Sequence, residues 1–107
     1  MKEIVEKDRL EYFFGEQQAH FRQRPPVIKL VEFEKGEILN DPLKPLDRFY
    51  ILVRGSVSIY NLTEDGSIRY ISKASSGTLL GDMEFSGAGN QSFYIEAAET
   101  VLCLAMP

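Results

Sequence analysis

The stretch Phe49-Tyr-Ile-Leu-Val-Arg-Gly-Ser-Val-Ser-Ile-Tyr-Asn-Leu62 constrains the fold of this chain more than any other. Two apolar runs, rich in β-branched and aromatic residues, flank Gly55, and such residues suit a pleated, half-buried surface. A glycine between two runs of this kind marks a bulge or a sharp bend, where a strand passes round a corner. Thr63-Glu-Asp-Gly66 follows as a hairpin loop of the Asp-Gly kind, and residues 67–73 return as the next strand.

The same period of two governs most of the chain and begins after Pro25-Pro26. Residues 27–33 are strand-like, Lys35-Gly36 makes a turn, and residues 37–40 resume. Residues 40–47 hold too many turn formers for a strand and form a loop. Beyond a Gly-rich stretch from Ser76 to Phe93, residues 94–98 and 100–106 complete the set. About seven or eight short, evenly spaced strands with turn signals between them predict an antiparallel sandwich or jelly-roll barrel. Before the prolines the period is helical. Asp8 with Glu11 has capping-box spacing, Gly15 can close the helix, and Leu10, Phe13 and Phe14 share one face. Ala19 and Phe21 extend this segment until Pro25 stops it. The chain thus divides into a helical segment, residues 1–26, and a β-unit, residues 27–107.

At 107 residues, with 44% apolar and 26% charged, one domain can bury a core without disulfide staples. The single cysteine, Cys103, lies in the apolar run 100–106 and reads as a small core hydrophobe. The N-terminus lacks a signal-peptide pattern and no run approaches a membrane span, so a cytoplasmic protein without membrane contact is expected. The sequons at Asn61 and Asn90 are then chance matches.

The net charge of -4 disfavours a nucleic-acid surface. All twelve Lys and Arg fall within residues 1–73, beside twelve Asp and Glu. Residues 74–107 hold Asp82, Glu84, Glu96 and Glu99 with no cation. A metal enzyme built in a small β-barrel needs two or three histidines and a carboxylate converging on the ion. This chain has one histidine, His20, in the helical segment. The same shortage removes a base for Ser or Cys nucleophilic catalysis, and Asp82 with Glu84 read as solvated turn residues rather than a hydrolase pair. No catalytic residue, metal or cofactor is expected. The chemistry is binding.

Four glycines, Gly77, Gly81, Gly87 and Gly89, punctuate the stretch where a ligand would sit, and glycine leaves backbone N–H groups open to an anion. From about Phe33 to Met106 the chain resembles a cyclic-nucleotide-binding domain of the Crp/Fnr regulator family. The matching pieces are Lys35-Gly-Glu-Ile-Leu39, Phe49-Tyr-Ile-Leu-Val-Arg-Gly-Ser-Val57, the Asp65-Gly66 hairpin and Gly77-Thr-Leu-Leu-Gly-Asp82, in this order. The ending Leu102-Cys-Leu-Ala-Met-Pro107 is similar more particularly to the YeiL-like branch. The resemblance implies a mainly β fold, an antiparallel double-stranded β-helix (jelly-roll β-roll), with a short N-terminal helical segment. It also implies a dimer helix and a helix-turn-helix that would follow Pro107. Partners expected on this ground are a small-molecule effector of unknown identity, or none, and DNA contacted only through that further C-terminal part. A homodimer is implied for the full-length regulator, and a monomer or weak dimer for this chain.

The family cradles a cyclic phosphate on the N–H groups of a short helix after a Gly-Glu pair, a geometry that favours an anion. By resemblance the cradle falls on Gly81, Asp82, Met83, Glu84, Gln91, Ser92 and Phe93. Asp82 stands for the Glu that takes the ribose hydroxyl, Gln91 for the Arg that neutralises the phosphate, and Phe93 for a small Ala. A charge-assisted hydrogen bond contributes roughly 1.5–3 kcal/mol, about twice a neutral one. Without it, and with Asp82 and Glu84 nearby in sequence, cyclic nucleotide binding in the usual manner is not expected. Arg54 or Arg69 would have to reach in from elsewhere. Two functions stand side by side: an effector-sensing domain of a transcription regulator, or a stand-alone β-barrel interaction module without ligand.

Overall fold

The computed structural model describes residues 1–43, 48–80 and 93–107, with Leu79 described by its backbone alone. Nine strands, one α-helix and one 3₁₀ turn occupy these residues: β1 (Lys2–Ile4), α1 (Lys7–Glu16), the turn Gln18–His20, β2 (Lys29–Phe33), β3 (Ile38–Asn40), β4 (Phe49–Arg54), β5 (Val57–Leu62), β6 (Ile68–Ala74), β7 (Leu79–Leu80), β8 (Tyr94–Ala97) and β9 (Val101–Met106). They pair antiparallel in two sheets, ordered β1-β2-β9-β4-β7 and β3-β8-β5-β6. The mainly β, jelly-roll-like architecture expected from the periodicity is present, as two separate sheets rather than a closed barrel.

Side-chain alternation assigns each strand two faces. Val31, Phe33, Leu52, Val101, Cys103 and Ala105 of the first sheet meet Leu39, Val57, Ile59, Ile95 and Ala97 of the second in the inter-sheet core. The intervening residues Leu30, Ile51, Val53 and Leu104 face the other way, against Phe13, with Leu10 and Phe14 beside it. The middle strands of the first sheet are therefore buried on both faces. That is why 51–53 is apolar without interruption: Ile51, Leu52 and Val53 are all buried.

Gly55 sits between β4 and β5 at φ +91°, as a chain turning a corner requires. A Cβ there would lie 2.7 Å from both the Thr100 carbonyl oxygen and Val101 Cγ1. At the β5–β6 hairpin the Thr63 N–H donates to Ser67 O (2.9 Å) and the Ser67 N–H to Asp65 Oδ1 (3.0 Å), with Gly66 at φ +86°. The Thr63 hydroxyl and the Ser67 N–H together lower the Asp65 carboxyl below its ordinary range.

The N-terminal segment departs from expectation. Asp8 is not the cap: α1 starts at Lys7, with Glu6 at the N-cap position making no side-chain cap bond. Glu11 reaches not back to a cap but across to Arg24, which donates to both its oxygens at 2.7 and 2.5 Å. Gly15 lies inside the helix, and Gln17 ends it, its N–H shared between the Phe13 and Phe14 carbonyls. Residues 2–4 form β1 on β2, with Ile4 opposite Leu30 and joined to the Phe13 cluster. The first segment is thus built into the first sheet rather than helical throughout.

Candidate functional site

The Gly-rich stretch leaves one sheet and arrives in the other. Its upstream stem is fixed to β4: the Gly77 N–H donates to Leu52 O at 2.7 Å, the Leu52 N–H to Thr78 O at 3.0 Å, and the Ser76 hydroxyl to Val53 O at 3.0 Å. Gly77 adopts φ +91° in this close approach, and Leu80 is buried opposite Tyr50. The downstream stem is Phe93, half-buried against the inter-sheet core, its carbonyl accepting from Asn40 Nδ2 at 2.8 Å. β8 then pairs with both β3 and β5. Of the expected cradle residues, Gly81, Asp82, Met83, Glu84, Gln91 and Ser92 lie outside the described residues. Phe93 is described, and its ring contacts the core.

The two cations considered for the cradle, Arg54 and Arg69, have definite places. Arg54 donates to both carboxylate oxygens of Glu16 (3.0 and 3.1 Å) and to Val53 O (2.7 Å), and its guanidinium lies over the Phe13 ring at 4.9 Å. Its hydrogen bond to Glu16 is the main cause that raises the Arg54 pKa and lowers that of Glu16. This residue ties the corner after β4 to α1. Arg69 stands opposite Asn61 on β6, an exposed strand. Next to it is a polar group that sequence reading passes over: Asn61 Oδ1 is buried and has no hydrogen-bond partner among the described residues. Only an alternation argument along β5, placing Asn61 on the side of Ile59, would have pointed to it.

The opposite side of the second sheet carries an aromatic row across β8, β5 and β6. Tyr94 stacks on Tyr60 (centroids 5.3 Å apart, planes at 10°), and Tyr70 meets Tyr60 edge-on at 5.9 Å. The Tyr60 hydroxyl donates to Glu96 Oε1 at 2.9 Å; burial first, then this bond, pushes the phenol up to about 12. A cleft of about 120 Å³ opens elsewhere, lined by Val27, Lys29, Arg48, Ala105, Met106 and Pro107. Phe93 is not among the residues that line it. Among the described residues no group of three or more His, Cys, Asp or Glu is placed to hold a metal, and no helix is long and apolar enough to cross a membrane.

With this geometry in place, residues 30–107 match the family model of the cyclic nucleotide-binding domain. No curated protein sequence matches the chain. Among solved structures it is similar to the N-terminal domain of a transcriptional regulator from Streptomyces coelicolor A3(2) (TM-score 0.65, 23% identity), covering 88% of this chain and 68% of that one. It is similar also to the sensor domain of the transcriptional regulator DNR from Pseudomonas aeruginosa (TM-score 0.62, 23% identity, 73% and 53% covered). A third is the regulatory subunit of a cAMP-independent protein kinase A from Trypanosoma brucei (TM-score 0.64, 22% identity), where the match covers 74% of this chain but only 29% of the subunit. At these identities the likeness is one of fold.

Proposed function

The chain belongs to the cyclic nucleotide-binding domain family, and from that premise we propose that it is the effector-sensing domain of a Crp/Fnr-type transcription regulator, close to the YeiL-like branch, whose cradle does not hold cyclic AMP in the family's usual way. The observation that carries this reading is the charge of residues 74–107, four carboxylates without a single cation, across the stretch where the family neutralises a phosphate. Arg54 is engaged by Glu16 and stacked on Phe13. By the family's pattern the position that answers an anion falls on Gln91, a neutral donor worth about half a charged one. The effector is then a molecule without a phosphate, or there is none. The domain works by binding rather than catalysis, and in the full regulator it would bias a homodimer between two arrangements of the helix that carries DNA binding.

Two of the similar structures are domains of transcriptional regulators, which supports the regulator assignment. The trypanosomal subunit supports the reading of the cradle. It belongs to a cAMP-independent kinase, and a triple mutant of it, in which a glutamate becomes alanine, a threonine arginine and the adjacent valine alanine, is bound to cAMP in the A site.

Titration calorimetry tests the proposal. Cyclic AMP and cyclic GMP should bind no tighter than ~1 mM. Gln91→Arg with Phe93→Ala should raise affinity by ~10-fold or more, whereas Asp82→Ala in the parent should change little. Phe93 contacts the core, so Gln91→Arg alone is measured in parallel, with melting temperatures for each variant. A micromolar dissociation constant for either nucleotide in the unmodified chain would overturn this view of the cradle.

A further inference from the structure

The two sheets have four edges, and among the described residues three of them are short: β1 (Lys2–Ile4), β3 (Ile38–Asn40) and β7 (Leu79–Leu80). The fourth, β6 (Ile68–Ala74), runs for seven residues and, among the described residues, pairs with β5 alone. Six of the seven are exposed, among them Ile68 (53%), Tyr70 (68%) and Ile71 (48%). A long edge strand with large apolar side chains presents unpaired N–H and C=O groups to any strand that fits. Proteins restrict such edges with charge and bulges, and β6 carries Arg69, Lys73 and an extra residue, Ile71, where Ile59 pairs with Ser72 and Tyr60 with Tyr70.

These restrictions define which strand does fit. Ile68 shares a face with Leu62 and Tyr70 with Tyr60, so the outer face of β6 extends the row of Tyr94 and Tyr60 into solvent. A partner must supply apolar or aromatic groups along that row and an acid near Lys73. The β5–β6 hairpin itself provides both. The acidic turn residues Glu64-Asp65 lie just ahead of β6, which begins at Ile68, and Lys73 is its last residue but one. Reversed by a two-fold axis, one copy sets its acidic turn beside the other's Lys73 while the apolar rows run side by side.

We propose that β6 is a self-association edge, pairing antiparallel with β6 of a second copy of this chain. The interface is isologous, as a two-fold requires. One strand edge with a short apolar row is small, so the dimer dissociates at ~10–100 µM rather than forming an obligate pair. This contact is independent of the cradle and of its occupant.

Sedimentation equilibrium of the whole chain from 1 µM to ~1 mM tests it. The parent should show a reversible monomer–dimer equilibrium, and Ile68→Lys with Tyr70→Lys should weaken it at least ~10-fold at an unchanged fold by circular dichroism. The charge geometry has its own test, in case those changes disturb the hairpin. Lys73→Glu alone and Glu64→Lys alone should each weaken the dimer by ~3-fold or more, and the two together should restore it to within ~2-fold of the parent. Asp65 is left intact because it holds the turn through Ser67. A chain monomeric at 1 mM would overturn the proposal, and the edge would serve another partner or none. A dimer indifferent to the β6 changes would also overturn it. A double charge reversal no tighter than the single ones would exclude the antiparallel arrangement.

Discussion

At the scale of single residues, Gly55 shows how closely the backbone of this fold approaches itself. Among the described residues Gly36, Gly55, Gly66 and Gly77 have positive φ, but only at Gly55 does a Cβ collide, with the Thr100 carbonyl and Val101 Cγ1. Gly55→Ala should therefore destabilise by roughly 2–4 kcal/mol, combining backbone strain with a steric conflict. Gly36→Ala should cost only about 1 kcal/mol of backbone strain. Thermal melts of the two variants check the contrast, and equal shifts would contradict it. Cys103 is fully buried between the sheets, and burial pushes its thiol from 9.0 up to about 12. In the folded chain the neutral thiol is favoured, so this contribution is complete below pH ~9, where the unfolded thiol is also neutral. It falls as pH rises from 9 toward 12, because only the unfolded chain then releases the proton. Native Cys103 should resist iodoacetamide at pH 8 and react promptly once the chain is unfolded. Rapid alkylation of the native protein would show an opening of the core that its burial does not allow.

At the scale of elements, legibility in the sequence followed the length of each pattern. β4 was readable to its last residue, and β5, β6, β8 and β9 to within one, because alternation, Gly55 and Asp65-Gly66 mark them locally. β1 and β7 have three and two residues, too few to show a period; their partners β2 and β4 define them. The capping box failed for a related reason. Docking of β1 places Glu6 at the start of α1, and Arg24, distant in sequence, claims Glu11. Around the Gly-rich stretch, β8 on its downstream side was legible, while the unpartnered Asn61 and the engagement of Arg54 by Glu16 depend on tertiary neighbours. The apolar face of α1 was legible and explains its hold on the first sheet. Phe13→Ala should cost about 3–4 kcal/mol, since Phe13 is buried among Leu30, Ile51, Val53 and Leu104. Arg54→Gln should lower the melting temperature far less, because the Arg54–Glu16 pair is solvent-exposed. Urea titration of both variants measures the difference. A larger loss from Arg54→Gln would mean that the ion pair, rather than the apolar face, anchors the helix.

At the scale of the whole molecule, the layers are unequal. The first sheet is covered by α1 on one face and by the second sheet on the other, so β2, β4 and β9 lie at the centre of both apolar clusters. Among the described residues the second sheet is covered on one face, and its strand β6 is exposed along nearly its whole length. Local opening costs least where few buried contacts must be broken. Backbone amides bonded between β2 and β9 and between β4 and β9 should therefore exchange with solvent only on global unfolding. Amides of β6 paired to β5 should exchange by local opening, faster by ~100-fold or more. Hydrogen exchange read residue by residue measures this at low protein concentration, where the chain is monomeric. The same measurement at ~1 mM should slow the β6 amides and leave β9 unchanged, because dimerisation protects the edge and not the centre. Uniform protection across β6 and β9 in the dilute protein would mean that the two sheets unfold as a single unit, and that the exposed edge is as firmly held as the doubly buried one.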